Sequence, residues 1–283
     1  MRSPRILLTL ASLAAVAASA LVPVSTSSAD TPHYYVSLGD SLSQGYLAGV
    51  GDTDQGYADL LYAKLKAKDP SLQLVKLGCS GETTSTMIDG GRCTDRYPVG
   101  TSQLDVAAQF LSAHRGQVTH LTLDIGANDV AGCAEGGSID FACVTQGTVK
   151  IGTNLQTILD RLTAADGKLP LSVGMNYYDP FLAYWLTGAQ GQVLATASVS
   201  LLVAINTAET TAYLAHGFKV ADAMTALHTL DFANKRVVAP YGKLPRNVAD
   251  ICEFTSMCSQ NNIHPTPQGY QILADAFARR FGL

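Results

Sequence analysis

A chain of 283 residues that is 47% hydrophobic and only 15% charged carries enough apolar material for a full core and too little charge for disorder. Its formal net charge of −4, with no basic stripe, leaves no electrostatic footprint for nucleic acid.

The N-terminus reads as a targeting segment. Arg2 and Arg5 precede an apolar run over 6–22, and small residues follow. Ser27-Ser28-Ala29 has the small-x-small pattern of a cleavage site, with Ala18-Ser19-Ala20 as a second candidate. A transmembrane anchor is the rival reading, but the run is short, rich in Ala and Ser, and ends in a cleavable pattern. The expectation is a secretory signal peptide over 1–29, a secreted protein with no stable membrane anchor, and one domain over 30–283. Monomer is the default state for an exported chain of this size.

Within that domain, apolar runs alternate with helical stretches, the pattern of a parallel sheet covered by helices on both faces. Strands are expected over 34–38, 72–77, 121–125, 171–175 and 218–222. Helices are expected over 57–68, 102–114, 144–164, 195–215 and 267–281. Asp69-Pro70 stops the first helix, because the residue before proline avoids helical angles. Gly167 and Gly217 fall where helix C-caps belong, and Pro267 suits the first turn of the last helix.

In a parallel sheet of this kind, ligands bind beyond the carboxyl ends of the strands. The segments found there are small and polar. Gly39-Asp40-Ser41 follows the first strand and Gly78-Cys79-Ser80-Gly81-Glu82-Thr83 the second. Gly126-Ala127-Asn128-Asp129 follows the third and Asn176-Tyr177-Tyr178-Asp179-Pro180 the fourth. A serine leaving a strand can be a nucleophile or merely a turn or helix cap. Acyl transfer would also need oxyanion donors, for which the Ser41 N–H, the Gly81 N–H and the Asn128 amide are placed. Of the six histidines, five lack a polar motif. His264 instead lies in Asn262-Ile263-His264-Pro265-Thr266-Pro267, where two prolines restrict the backbone, as suits a base that must be held in place.

The six cysteines form three sequence-local pairs, Cys79/Cys93, Cys133/Cys143 and Cys252/Cys258, and an oxidising compartment would close them. Six cysteines allow about 15 connectivities; pairing between neighbours is favoured because each pair flanks one turn-rich loop. Zinc on Cys252, Cys258 and His264 is the alternative, weakened by the lack of any C-x-x-C spacing.

Four blocks together resemble the SGNH hydrolases, also called the GDSL lipase/esterase family. They are Gly39-Asp40-Ser41-Leu42, Ser80-Gly81-Glu82-Thr83, Gly126-x-Asn128-Asp129 and His264-Pro265-Thr266, in the family's order. The resemblance implies a flavodoxin-like three-layer α/β/α fold with a central five-stranded parallel sheet. It also implies Ser41 as nucleophile, His264 as base, and Ser41, Gly81 and Asn128 as oxyanion donors. The local cysteines are similar to those of secreted actinobacterial members. One position departs from the pattern: the family's D-x-x-H carries an acid where this chain has Asn261. Its side chain or its backbone carbonyl is then the expected acceptor for His264 Nδ1–H, giving a dyad. G-x-S-x-G, the elbow of ordinary α/β-hydrolases, is absent around every serine.

The implied activity is hydrolysis of a small-molecule or lipid ester, a lipase or esterase reaction using side chains and backbone amides without metal or cofactor. A phospholipase or a carbohydrate O-deacetylase on the same machinery is the alternative, and an inactive binding domain is the non-enzyme one. Tyr46, Tyr177, Tyr184 and Trp185 are the candidate substrate contacts among the aromatic residues of the post-strand segments.

Overall fold

The computed structural model describes residues 32–134 and 138–283, so the expected signal segment and its cleavage site lie outside the described residues. Five strands form one parallel sheet: β1 (Tyr34–Gly39), β2 (Gln73–Lys76), β3 (Val118–Asp124), β4 (Leu171–Met175) and β5 (Lys219–Ala221). Their spatial order is β2-β1-β3-β4-β5, the flavodoxin-like doubly wound arrangement. The order reverses beside β1, so the crevice outside the ends of β1 and β3 is the topological switch point.

Helices cover both faces, and the alternation of side chains along each strand sends residues to both. On one face Tyr35 and Met175 pack with Tyr57, Leu61, Tyr270 and Phe277 from the helices Tyr57–Lys66 and Pro267–Phe281. On the other, Val36, Leu38, Leu121 and Leu123 pack with Leu104, Ile151, Leu155 and Tyr213. These come from the helices Gln103–Ala113, Phe141–Asp166 and Ala189–Ala215. Between the layers the Tyr35 and Thr122 hydroxyls, from adjacent strands, pair at 2.9 Å.

All five expected strands and all five expected helices occur, with ends moved by a few residues. The helix stops also follow local chemistry. Ser102 caps Gln103–Ala113 in a reciprocal box with Asp105, Gly167 ends Phe141–Asp166 in the left-handed region (φ 78°), and Pro267 opens the last helix behind Thr266. The additions are short: the helices Thr84–Asp89 and Arg246–Phe254, a 3-10 segment Pro180–Thr187, and an antiparallel hairpin of β6 (Lys235–Val238) and β7 (Gly242–Pro245). Three disulfides close neighbouring cysteines as expected: Cys79–Cys93, Cys133–Cys143 and Cys252–Cys258. Cys252 and Cys258 are thus bonded to each other rather than free to share zinc with His264.

Candidate active site

Gly39 ends β1 at φ 136°, a conformation open to glycine, and a Cβ there would run into the backbone carbonyl of Asp124 on β3. That close approach sets up the turn carrying Ser41. Asp40 folds its Oδ1 back to accept the Leu42 N–H (2.9 Å), an Asx turn, while its Oδ2 accepts the Tyr177 hydroxyl (2.8 Å). From the outer side Gln103, fully buried, accepts the Gly39 N–H at 2.7 Å and donates to the Gly39 carbonyl at 3.0 Å. The serine rides on the turn that these contacts fix.

It faces His264. Ser41 Oγ lies 2.7 Å from His264 Nε2, although the two are 223 positions apart in the chain. The tautomer follows from the other side of the ring. Asn262 Oδ1 accepts the His264 backbone N–H (3.1 Å), and the same oxygen lies 2.7 Å from Nδ1. A backbone N–H can only donate, so the Asn262 atom facing it is the oxygen and Nδ1 must carry the proton. Nε2 is then the free acceptor for the serine hydroxyl.

This corrects the expectation for Asn261. The acceptor is the next residue, and it acts through its side chain. Asn261 follows the helix Met257–Gln260 in the left-handed region (φ 50°), with its N–H on the Met257 carbonyl, and it lines the cavity beside Ser41. Asn262 is the residue two before the histidine, the separation at which an Asx side chain reaches a backbone N–H. The loop is braced further by the Tyr178 hydroxyl on the Ile263 carbonyl (2.7 Å) and by Ser256 N–H on the His264 carbonyl (2.9 Å). Tyr46 lies against the imidazole, ring centroids 4.3 Å apart. Burial pushes the imidazole down to about 4, with the Asp52 carboxylate pulling weakly the other way.

Two of the three residues expected to supply oxyanion donors, Ser41 and Asn128, meet at one cavity. Asn128 lines the cavity with Ser41 and His264, and one amide N–H is anchored on the Glu82 carbonyl at 2.9 Å, leaving the other without a partner among the described residues. Gly81 stands one residue before Glu82 at φ 80°, and the Arg92 guanidinium fills the place a Cβ would take. It is not among the residues lining the cavity. Among the described residues, neither the Ser41 nor the Gly81 N–H donates to another protein group. Asp129 accepts from Thr84 N–H and Oγ1 (2.7 and 2.8 Å), which ties the loop after β3 to the helix following Gly81.

Beneath this rim lies a set of buried acids that sequence reading does not single out. Asp40 and Asp124 face one another; burial raises both, and a charge on Asp40 opposes a second one on Asp124. Tyr57 donates to Asp124. Glu82 is fully buried, raised by burial, and takes Gln103 Nε2–H at 3.0 Å. Glu209, on the helix Ala189–Ala215, has neither oxygen hydrogen-bonded among the described residues, and burial holds it strongly toward the neutral acid. Asp40 and Glu82 sit in two of the motif blocks, whereas Asp124 and Glu209 show in sequence only as acids on apolar elements.

A cavity of about 420 Å³ adjoins the Ser41–His264 pair. Its wall is largely apolar, including Val130, Ala131, Phe181, Leu201, Leu202 and Ile205. Of the expected substrate contacts, Tyr177 and Tyr184 line it, and Tyr46 lies on the histidine instead. Trp185 is a correction: it packs toward Phe232 (5.6 Å) with Lys235 over its ring, outside the cavity lining, because the tight 3-10 turn puts neighbours 184 and 185 on different sides.

A hydroxyl bonded to a neutral imidazole, N–H donors at the same cavity, and that cavity's largely apolar wall make up an arrangement suited to acyl transfer. Comparison with known proteins agrees in family. The model of the GDSL-like Lipase/Acylhydrolase family matches residues 37–272. No curated protein matches the chain by sequence. Similar solved structures include phospholipase A1 from Streptomyces albidoflavus NA297, 17% identical at a TM-score of 0.56 over 88% of this chain and 100% of that one. The lipase/acylhydrolase from Enterococcus faecalis is 16% identical at a TM-score of 0.51 over 88% and 95%. An acetyl-xylooligosaccharide esterase from Geobacillus is 15% identical at a TM-score of 0.52 over 89% and 94%. At these identities the structural likeness is one of fold.

Proposed function

The chain belongs to the GDSL-like lipase/acylhydrolase family, and from that footing we propose that it is a secreted serine hydrolase of carboxylic esters bearing an acyl chain. The observation that carries the reading is the 2.7 Å contact between Ser41 Oγ and an unprotonated His264 Nε2. Ser41 Oγ attacks the acyl carbon as its proton passes to Nε2. The carbonyl oxygen becomes an oxyanion, taken up by the N–H groups of Ser41 and Gly81 and the other N–H of Asn128. Collapse expels the alcohol, which leaves with the proton from Nε2, and a water activated by the same nitrogen releases the acid. Asn262 keeps Nδ1 protonated throughout and orients the ring, while as a neutral amide it adds no charge to steady the imidazolium.

The apolar cavity beside Ser41 supports an acyl chain over a bare acetyl group, since burying such a chain there gains roughly 0.8 kcal/mol per methylene. The reading of the compartment rests on the three disulfides, which fit an oxidising environment.

A series of p-nitrophenyl esters of increasing chain length tests the proposal, with acetylated xylan run beside it. The expected result is turnover that rises beyond acetate and falls at least about 10³-fold in Ser41→Ala. Undiminished turnover in Ser41→Ala would remove the nucleophile assignment. Preference for the acetylated glycan would move the substrate to carbohydrate O-acetyl groups.

A further inference from the structure

The cavity wall holds one ionisable group that the mechanism above does not use. Asp179 follows β4, caps the 3-10 segment Pro180–Thr187, and is 1% exposed while lining the same cavity as Ser41 and His264. Its Oδ1 accepts the Phe181 N–H at 3.0 Å and its Oδ2 accepts the Ser198 hydroxyl at 2.7 Å. Among the described residues no cation pairs with it. Asp40 is the other carboxyl on the cavity, but it sits behind the nucleophile and is engaged by Tyr177, Leu42 and Asp124. Asp179 belongs instead to the wall shared with Phe181, Leu201 and Leu202, where an acyl chain would lie.

The surroundings offer little to compensate a charge. The 3-10 segment contributes only Tyr184, the helix Ala189–Ala215 only Glu209 and Tyr213, and the neighbouring loops Tyr177, Tyr178 and His264. The helix Arg246–Phe254, packed on the far side of the 3-10 segment, carries Arg246, Asp250 and Glu253. Asp250 is engaged by His228 (2.7 Å) and Arg236 (2.9 Å), Glu253 is engaged by Arg236, and Arg246 approaches Asp250 at 3.9 Å. Burial therefore pushes Asp179 up to about 7, with the Ser198 hydroxyl and the Phe181 N–H acting in the opposite direction.

We propose that Asp179 is a specificity-determining residue which makes the preference for long over short acyl chains depend on its own protonation. The inference rests on the ester-hydrolase reading above. A chain laid along this wall fills the space beside the carboxyl with hydrocarbon in place of polar solvent, which lowers the local dielectric and raises the cost of its charged form further. It therefore binds the protonated form better, and by linkage the bound chain holds the proton more firmly. An acetyl group does not reach the wall and is indifferent to it.

The measurement is the ratio of kcat/KM for p-nitrophenyl octanoate to that for the acetate, followed from about pH 5.5 to about pH 8.5. Ionisation of His264 affects both substrates and cancels in the ratio. In the wild type the ratio falls as pH rises, by as much as about tenfold per pH unit above the midpoint. Asp179→Asn, whose Oδ1 can still accept from Phe181 N–H while its amide N–H donates to the Ser198 hydroxyl, gives a ratio independent of pH. Ser198→Ala removes a donor to the carboxylate and moves the fall to higher pH. A flat ratio in the wild type, or a slope that survives in Asp179→Asn, overturns the proposal.

Chain binding can also be read without turnover, by calorimetry of 1-decanol on the Ser41→Ala protein and on Ser41→Ala/Asp179→Asn. Weaker binding at the higher pH in the first protein alone supports the proposal, and equal pH dependence in both, or none in either, ends it. The calorimetric result stands even where neither ester is hydrolysed, so failure of the ester-hydrolase reading and failure of this one are distinguishable.

Discussion

The two arms of the site differ in the groups that hold them. The arm bearing Ser41, Gly81 and Asn128 rests on buried acids: Asp40, Asp124, Glu82, Asp129 and Glu209 are all raised by their surroundings, burial being the largest cause for each. The arm bearing His264 is held by neutral groups, namely the Asn262 amide, the Tyr178 hydroxyl and backbone N–H groups. In a Ser-His-Asp triad the carboxylate stands against the imidazole. Here the carboxyl groups lie below the nucleophile, where all but Glu209 shape loops by hydrogen bonds, and among the described residues the base has no bonded counter-charge. Each arm is thus held by hydrogen bonds and packing, with the acids gathered under the nucleophile alone.

The sharpest test of the acid-supported arm is Asn128→Ala, expected to lower kcat about 10²–10³-fold with little change in KM, as loss of one oxyanion donor does. A loss confined to KM would place Asn128 in binding instead. On the neutral arm, Asn262→Ala frees the ring and should lower kcat about ten- to a hundredfold, whereas Asn261→Ala should change it less than about threefold. The reverse order would return the role to Asn261.

Asn262→Asp adds the missing charge and reads the comparison directly. Burial holds the wild-type imidazole at about 4; a carboxylate beside Nδ1 favours the imidazolium and raises its pKa, so the acid limb of kcat/KM should move upward relative to wild type. A limb that stays in place would mean that Asn262 does not touch the ring in solution. The smallest effect concerns stability. A carboxyl with a raised native pKa keeps its proton in the folded state after the unfolded chain has lost it, so stability declines as pH rises above the ordinary carboxylate range. Glu209→Gln removes one such group and should flatten the fall of Tm between about pH 5 and pH 8, by on the order of 2–4 °C for each kcal/mol that the neutral acid contributes. Asp40 and Asp124 keep part of the slope. An unchanged slope would mean Glu209 is ionised and paired.

What could be read from the sequence follows from where each piece of information is stored. Strands, main helices and the four motif blocks are local patterns, and Ser41, Gly81, Asn128 and His264 each sit in one. Asn262 was obscured by the D-x-x-H spacing, which points to 261, although an Asn two residues before the histidine is itself an Asx-turn signal. Gln103 and Glu209 look in sequence like any polar helix residue; only the packed helix shows that they face inward. The cavity has no linear signature, because its wall draws on segments from Val130 to Ile263. Trp185 misled because a 3-10 turn separates it from Tyr184, and aromatic content says nothing about direction.

The disulfides span 14, 10 and 6 positions, and each closes a loop on the chain's own surface turns rather than joining distant elements. Even rings that small each remove freedom from the unfolded chain, on the order of 3 kcal/mol, only somewhat less than a bridge between distant elements would. None of the six cysteines lies in the sheet, so the bridges pin its loops: reduction acts first on the segments around Gly81 and His264.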